Sequence, residues 1–148
     1  MFIQAYALYM LKIISKKNPG FYSVGVPFLD VQYNRIIALA SSLCRMCRNY
    51  EKIENISFAM MLKRTLYSFN HHFGFEEGIM RETAYPNFEE HKNAHCKFFK
   101  FFLDQVRSFE SRSNFSPEKF ACFLQEWLDS HIAMDIALGL YVKKSQLH

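Results

Sequence analysis

Three pairs of residues stand four apart in the sequence and share one chemistry: His72 with Glu76, His91 with His95, and His131 with Asp135. In an α-helix four residues advance about 400°, so each pair lies on one face, a single turn apart. All three pairs fall within apolar stripes, with aromatic residues above and below them. An ionised carboxylate buried without a partner is too costly to persist. Four imidazoles and two carboxylates converging on one layer are satisfied together by a divalent or trivalent metal. Imidazole and carboxylate without thiolate suit iron, manganese or zinc. Two carboxylates able to bridge point to two ions, as in other bundles whose ligands project inward from facing helices. One HxxxH alone is a weak signal, because a single histidine on an apolar face is ordinarily a hydrogen-bonded core residue. Three pairs in register are a strong one. Glu77, beside Glu76, reads as a solvated surface residue, and His71, turned about 100° from His72, marks the edge of its stripe.

The elements that would hold these pairs show a helical hydrophobic period, with steps of three and four. The stripes run Tyr33, Ile36, Ala40, Leu43, Cys47, then Leu62, Thr65, Phe69, His72, Glu76, Met80. The third is Phe88, His91, His95, Phe98, Phe102, Val106, Phe109, and the fourth Phe120, Leu124, Trp127, His131, Asp135, Leu138, Val142. Pro27, Pro86 and Pro117 fall where segments change, and Asp30, Ser57, Asn87 (with Glu90) and Ser116 are placed to cap. The spacing predicts helices near 30–50, 58–84, 88–110 and 118–142. Four helices with short connections predict an all-α, antiparallel up-down four-helix bundle. The expected organisation is one domain over 1–148, with an N-terminal arm over 1–28 and the bundle over about 30–143.

Bulk composition narrows the function classes. Half of the 148 residues are hydrophobic and sixteen are Phe, which excludes a disordered chain. The net charge of +4 comes from scattered basic residues, so no nucleic-acid groove is expected. Cys44 and Cys47 form a CxxC without a second pair to complete a tetrahedral site, and both lie on the apolar face of the first helix. Residues 1–14 are apolar but too few to span a bilayer as a helix, and the charge order is wrong for a secretory signal. No membrane association is expected, and the default location is cytoplasmic.

The stretch His72-Phe73-Gly74-Phe75-Glu76-Glu77, followed by Met80, Tyr85-Pro86, His91 and His95, resembles the bacterial hemerythrin signature HFxxEE…M…YP…HxxxH. Trp127-Leu128-Asp129-Ser130-His131-Ile132 resembles its closing WLxxHI, and Tyr22 to Val26 with Asp30-Val31-Gln32 resembles the YSVGV…IDxQ before its first helix. The likeness covers residues 22 to about 142. It implies two non-haem iron ions joined by a bridging oxygen (oxo or hydroxo) and two carboxylates, with O2 as the ligand in many members. Carried over, His91, His95 and His131 would hold one iron, His72 the other, and Glu76 would bridge.

Two positions depart from the family pattern. The family's first ligand is the His of DxQH, and here that slot is Tyr33. The family's second bridging Asp lies five residues after its His, where this chain has Ile136; Asp135 is the substitute and fits the helical stripe better. Tyr33 has two readings. It is a core tyrosine, or it is a phenolate ligand whose pKa, normally about 10, is lowered by the metal. The expected function is a di-iron protein that binds O2 or a related small ligand for storage, delivery or sensing. The alternatives are a redox enzyme or scavenger acting on peroxide or nitric oxide, and a degenerate bundle with partial metal loss.

Overall fold

The computed structural model describes residues 23–146, and the expected arm up to residue 22 lies outside them. Four α-helices follow one another: α1 (Pro27–Arg48), α2 (Asn55–Glu82), α3 (Phe88–Glu110) and α4 (Pro117–Gln146). A single 3-10 turn, Tyr50–Lys52, sits between the first two. No strand occurs among the described residues. Each helix packs against two neighbours in the ring α1, α2, α3, α4, which the α1–α4 contact closes. The connections at 83–87 and 111–116 are short, so consecutive helices run antiparallel. This is the expected four-helix bundle.

The helix starts differ from expectation in instructive ways. Helix α1 begins at Pro27, three residues before Asp30, because proline's fixed φ and missing N–H suit a first turn. Asp30 instead reaches back. Its carboxylate accepts from the Val24 N–H at 2.6 Å and the Ser23 hydroxyl at 2.8 Å. Helix α2 begins at Asn55, not behind Ser57, with Glu54 at its cap position and no side-chain cap. Asn87 stands at the cap of α3 but makes no capping hydrogen bond, so the box with Glu90 does not form. At α4 the Ser116 hydroxyl accepts from the Lys119 N–H at 3.4 Å, ahead of Pro117.

The core divides into two large apolar clusters and a small third one of Tyr33 and Ile132. The larger holds Ile36, Leu43, Phe58, Leu62, Phe69, Phe98, Phe102, Phe120 and Leu124. Each of its fully buried phenylalanines contributes roughly 1.5–3 kcal/mol of burial. The smaller, at the other end, joins Val24, Val26 and Leu29 to Met80, Tyr85, Leu138 and Val142. Read along any helix, the polar pairs fall between the two. On α2, His72 and Glu76 separate Phe69 from Met80; on α4, His131 and Asp135 separate Leu124 from Leu138. On α1 the residue at that level is Tyr33, between Leu29 and Ile36.

Cys44 and Cys47 are buried in the larger cluster and unbridged, while Cys96 and Cys122 are exposed. Burial, with Cys44 adding to it, pushes the Cys47 thiol up to about 12. Thiolate is the reactive form. Alkylation of the native protein near pH 8 should therefore label Cys96 and Cys122 and spare Cys44 and Cys47 until the chain unfolds. Peptide mapping checks this, and native labelling of Cys47 would show that the helix seam opens.

Candidate metal centre

Six buried side chains from three helices meet in the polar layer. His72 and Glu76 come from α2, His91 and His95 from α3, and His131 and Asp135 from α4. The Nε2 atoms of His91 and His95 each stand 3.2 Å from that of His131. Glu76 has one oxygen on each side of the layer. Its Oε1 is 3.2 Å from His72 Nε2, while its Oε2 is 3.2 Å from His95 Nε2 and 3.5 Å from His91 Nε2. Asp135 Oδ1 lies 3.1 Å from His91 Nε2 and 3.2 Å from His131 Nε2. Position 136, where the family pattern has its Asp, carries a half-buried isoleucine that packs toward Tyr33 and Ile132.

The imidazole planes are fixed from outside. Phe73 stacks on His95 with centroids 3.9 Å apart and 9° between planes, and Trp127 stacks on His131 at 4.2 Å and 15°. His72 Nδ1 donates to Gln32 Oε1 at 3.2 Å, and His95 Nδ1 to Glu77 Oε1 at 3.1 Å. Such partners turn the opposite nitrogen toward the centre and raise its basicity. Glu77 is therefore not the solvated residue its sequence position suggests. It leans from α2 onto α3, and its outer oxygen keeps only a long contact with Arg81 at 3.8 Å. Neither outer partner has a local signature, because each bond joins different helices.

The electrostatics follow from this crowding. Burial alone would raise the carboxyl of Glu76, but His72, His91 and His95 outweigh it and hold the group well below the usual range. Burial and Glu76 both push Asp135 upward, and His131 with His91 reverses the sign. Desolvation would lower His91, yet the neighbouring carboxylates of Asp135 and Glu76 hold it at about 9. His72 is likewise raised by Glu76 against its burial. In the metal-free chain, protons on imidazole balance the buried carboxylates.

Several inner atoms are not well served by those protons. His72 Nε2, Glu76 Oε2 and both oxygens of Asp135 are buried without a well-directed hydrogen bond, although neighbours stand 3.1–3.5 Å away. A shared ion would satisfy donor atoms that stand this close together without bonding one another. Separations near 3 Å match adjacent ligands at roughly 2.1 Å from a shared ion. The nitrogen and oxygen donors, with no thiolate among them, suit iron, manganese or zinc. Glu76, His91, His95 and His131 bring one donor atom each within 4.8 Å of one another and could hold a metal ion. Tyr33 is buried beside this group, its ring centroid 5.7 Å from that of His72.

No protein-family profile matches the chain, and no solved structure does. Curated relatives do. The chain is 27% identical over 127 residues to the bacteriohemerythrin of Campylobacter jejuni subsp. jejuni, covering 86% of this chain and 88% of that protein. It is 26% identical over 113 residues to the bacteriohemerythrin of Stenotrophomonas maltophilia, covering 76% and 71%. No helix among the described residues is long and apolar enough to cross a membrane. Over most of its length the chain is similar to the bacteriohemerythrins, and its four-helix fold carries a buried cluster of histidines and carboxylates that could hold a metal ion.

Proposed function

We propose that this chain holds two non-haem irons in the polar layer and binds O2 or a related small ligand there. The observation that carries this reading is the disposition of Glu76, whose two oxygens face His72 on one side and His91 with His95 on the other. One carboxylate serving two sets of imidazoles is what a bridge requires. His91, His95 and His131, with Asp135, would hold one ion; His72, the second oxygen of Glu76 and Tyr33 would face the other. The irons would supply reversible exchange of electrons with a bound small molecule. The protein's own part is to hold the donors, to fix the rings through Gln32 and Glu77, and to keep bulk water out by the apolar clusters on either side.

Tyr33 favours a second reading, in which the centre turns over peroxide or nitric oxide. Bound as an anionic phenolate, Tyr33 would stabilise ferric over ferrous iron, which would work against a resting reduced pair. Metal analysis of chain expressed with iron, with visible spectra before and after anaerobic reduction, tests both. About two irons per chain are expected. A spectrum that forms on exposure to O2 and reverses on its removal supports the carrier, and irreversible bleaching supports turnover. A chain that binds no iron overturns both.

Tyr33→Phe removes only the hydroxyl and keeps the ring's packing, so its fold should survive with a loss of about 1 kcal/mol. If Tyr33 is a ligand, the oxidised variant should lose a visible charge-transfer band and hold its second iron less firmly. An unchanged spectrum and iron content would make Tyr33 a core residue only.

A further inference from the structure

The charge of this molecule is unevenly placed. Helix α1 from residue 31 to 48 and helix α2 from 55 to 75 contain no Asp or Glu, and they carry Arg35, Arg45, Arg48, Lys63 and Arg64. Two of these find partners: Lys63 pairs with Glu110 of α3 at 2.7 Å, and Arg45 donates to the Ser42 hydroxyl. Arg35 and Arg64 form no ion pair among the described residues, and residues 1–22 supply no acidic side chain. Both line one pocket of about 330 Å³ in the α1–α2 seam, with Tyr67, Ser68 and His71.

We propose that this pocket is a binding site for a phosphate-type oxyanion, free or carried on a small molecule. Two guanidinium groups in one concavity without a counter-charge raise its positive potential and concentrate anions there. Guanidinium forks match the paired oxygens of phosphate, and the bonds are charge-assisted. The hydroxyls of Tyr67 and Ser68 and the ring of His71 supply further donors on the same wall. The volume lies within the range of small-molecule sites and exceeds what a bare phosphate fills.

The pocket also meets the metal layer. Its inner wall includes Gln32 and His72, and Gln32 Oε1 accepts from His72 Nδ1 at 3.2 Å. An occupant is thus one hydrogen bond from a histidine of the proposed centre. The anion's effect on iron rests on the proposed function; its binding does not.

Calorimetric titration of the full-length chain, iron-loaded and iron-free, tests the site at constant ionic strength set by chloride. Inorganic phosphate and glycerol phosphate are the probes. Saturable binding at one per chain is expected in both forms, and the tighter probe identifies the source of the anion. The double variant Arg35→Gln, Arg64→Gln should bind at least about tenfold more weakly. Its helicity and iron content should be unchanged, and Lys97→Gln on exposed α3 surface should bind as the parent does. No saturation by either probe up to roughly 10 mM, or equal binding by the double variant, would overturn the proposal. Both results can be read in the iron-free chain, so they stand apart from any failure of the iron assignment.

Discussion

Replacing Glu76 with alanine should empty most of the proposed metal centre and weaken the metal-free fold as well. The side chain is buried, and its oxygens stand 3.2–3.5 Å from His72, His91 and His95. Removing it takes away the carboxylate beside three imidazoles at once and leaves Asp135 as the buried carboxylate of the layer. Breaking a buried charge pair costs about 3–5 kcal/mol. For a chain of this size that is a fall of roughly 10–15 °C in melting temperature. On the proposed function, iron should drop from about two per chain to a small fraction. The sign with pH follows from the depressed carboxyl of Glu76. A group lowered in the folded state contributes stability above its unfolded pKa, and that stability is lost as pH falls through the folded value. Melting curves of metal-free parent and variant should therefore converge on acidification. Glu77→Ala offers the contrast, since it removes only the outer partner of His95 and should weaken iron binding about 10–100-fold without abolishing it. Metal analysis and thermal melts decide. A Glu76→Ala chain with full iron content and an unchanged melt would mean that the layer is not the metal centre.

The elements were legible because their periodicity is local. Each four-residue pair and each apolar stripe is written within one helix, so helix number, order and inward faces follow from spacing alone. The starts of α1 and α2 were less legible, because Asp30 and Ser57 look like caps to any local rule. Asp30's partners, Val24 and Ser23, belong to a segment folded back over the bundle, and that fold decides its role. The polar layer shows the same division. That His72, Glu76, His91, His95, His131 and Asp135 share a level could be read from register; which atom meets which could not. Glu77 was misread because its bond to His95 crosses between helices. Arg35 and Arg64 look scattered in the sequence and meet only when α1 packs on α2. Tyr33 is the reverse case. Its departure from the family pattern was plain in the sequence, and the structure adds that it stands level with the layer, against His72.

Gly139→Ala should destabilise the protein by about 3–5 kcal/mol, although alanine is the better helix former by about 1 kcal/mol. The backbone of α4 passes so close to residue 24 that a Cβ at 139 would collide with the Val24 carbonyl oxygen and lie 2.9 Å from its carbon. Neither atom belongs to a side chain that can swing away. The colliding segment is itself pinned. The Val24 N–H donates to Asp30, Val24 and Val26 are buried in the smaller cluster, and Gly25 turns between them at a φ of +84° that other residues rarely adopt. Relief therefore means either displacing α4, which carries His131 and Asp135, or releasing the segment. Release loses a buried hydrogen bond worth about 1–3 kcal/mol together with the burial of two valines. Two other glycines isolate the cause. A Cβ at Gly74 or at Gly78 meets nothing within 4 Å, and both lie inside α2. Gly74→Ala and Gly78→Ala should raise stability by about 0.5–1 kcal/mol each, through helix propensity and a less free unfolded chain. The same chemical change should thus carry opposite signs at positions 74 and 139, as read by denaturant melts of the three variants. A Gly139→Ala chain that melts with the parent or above it would show that residues 23–26 do not lie against α4.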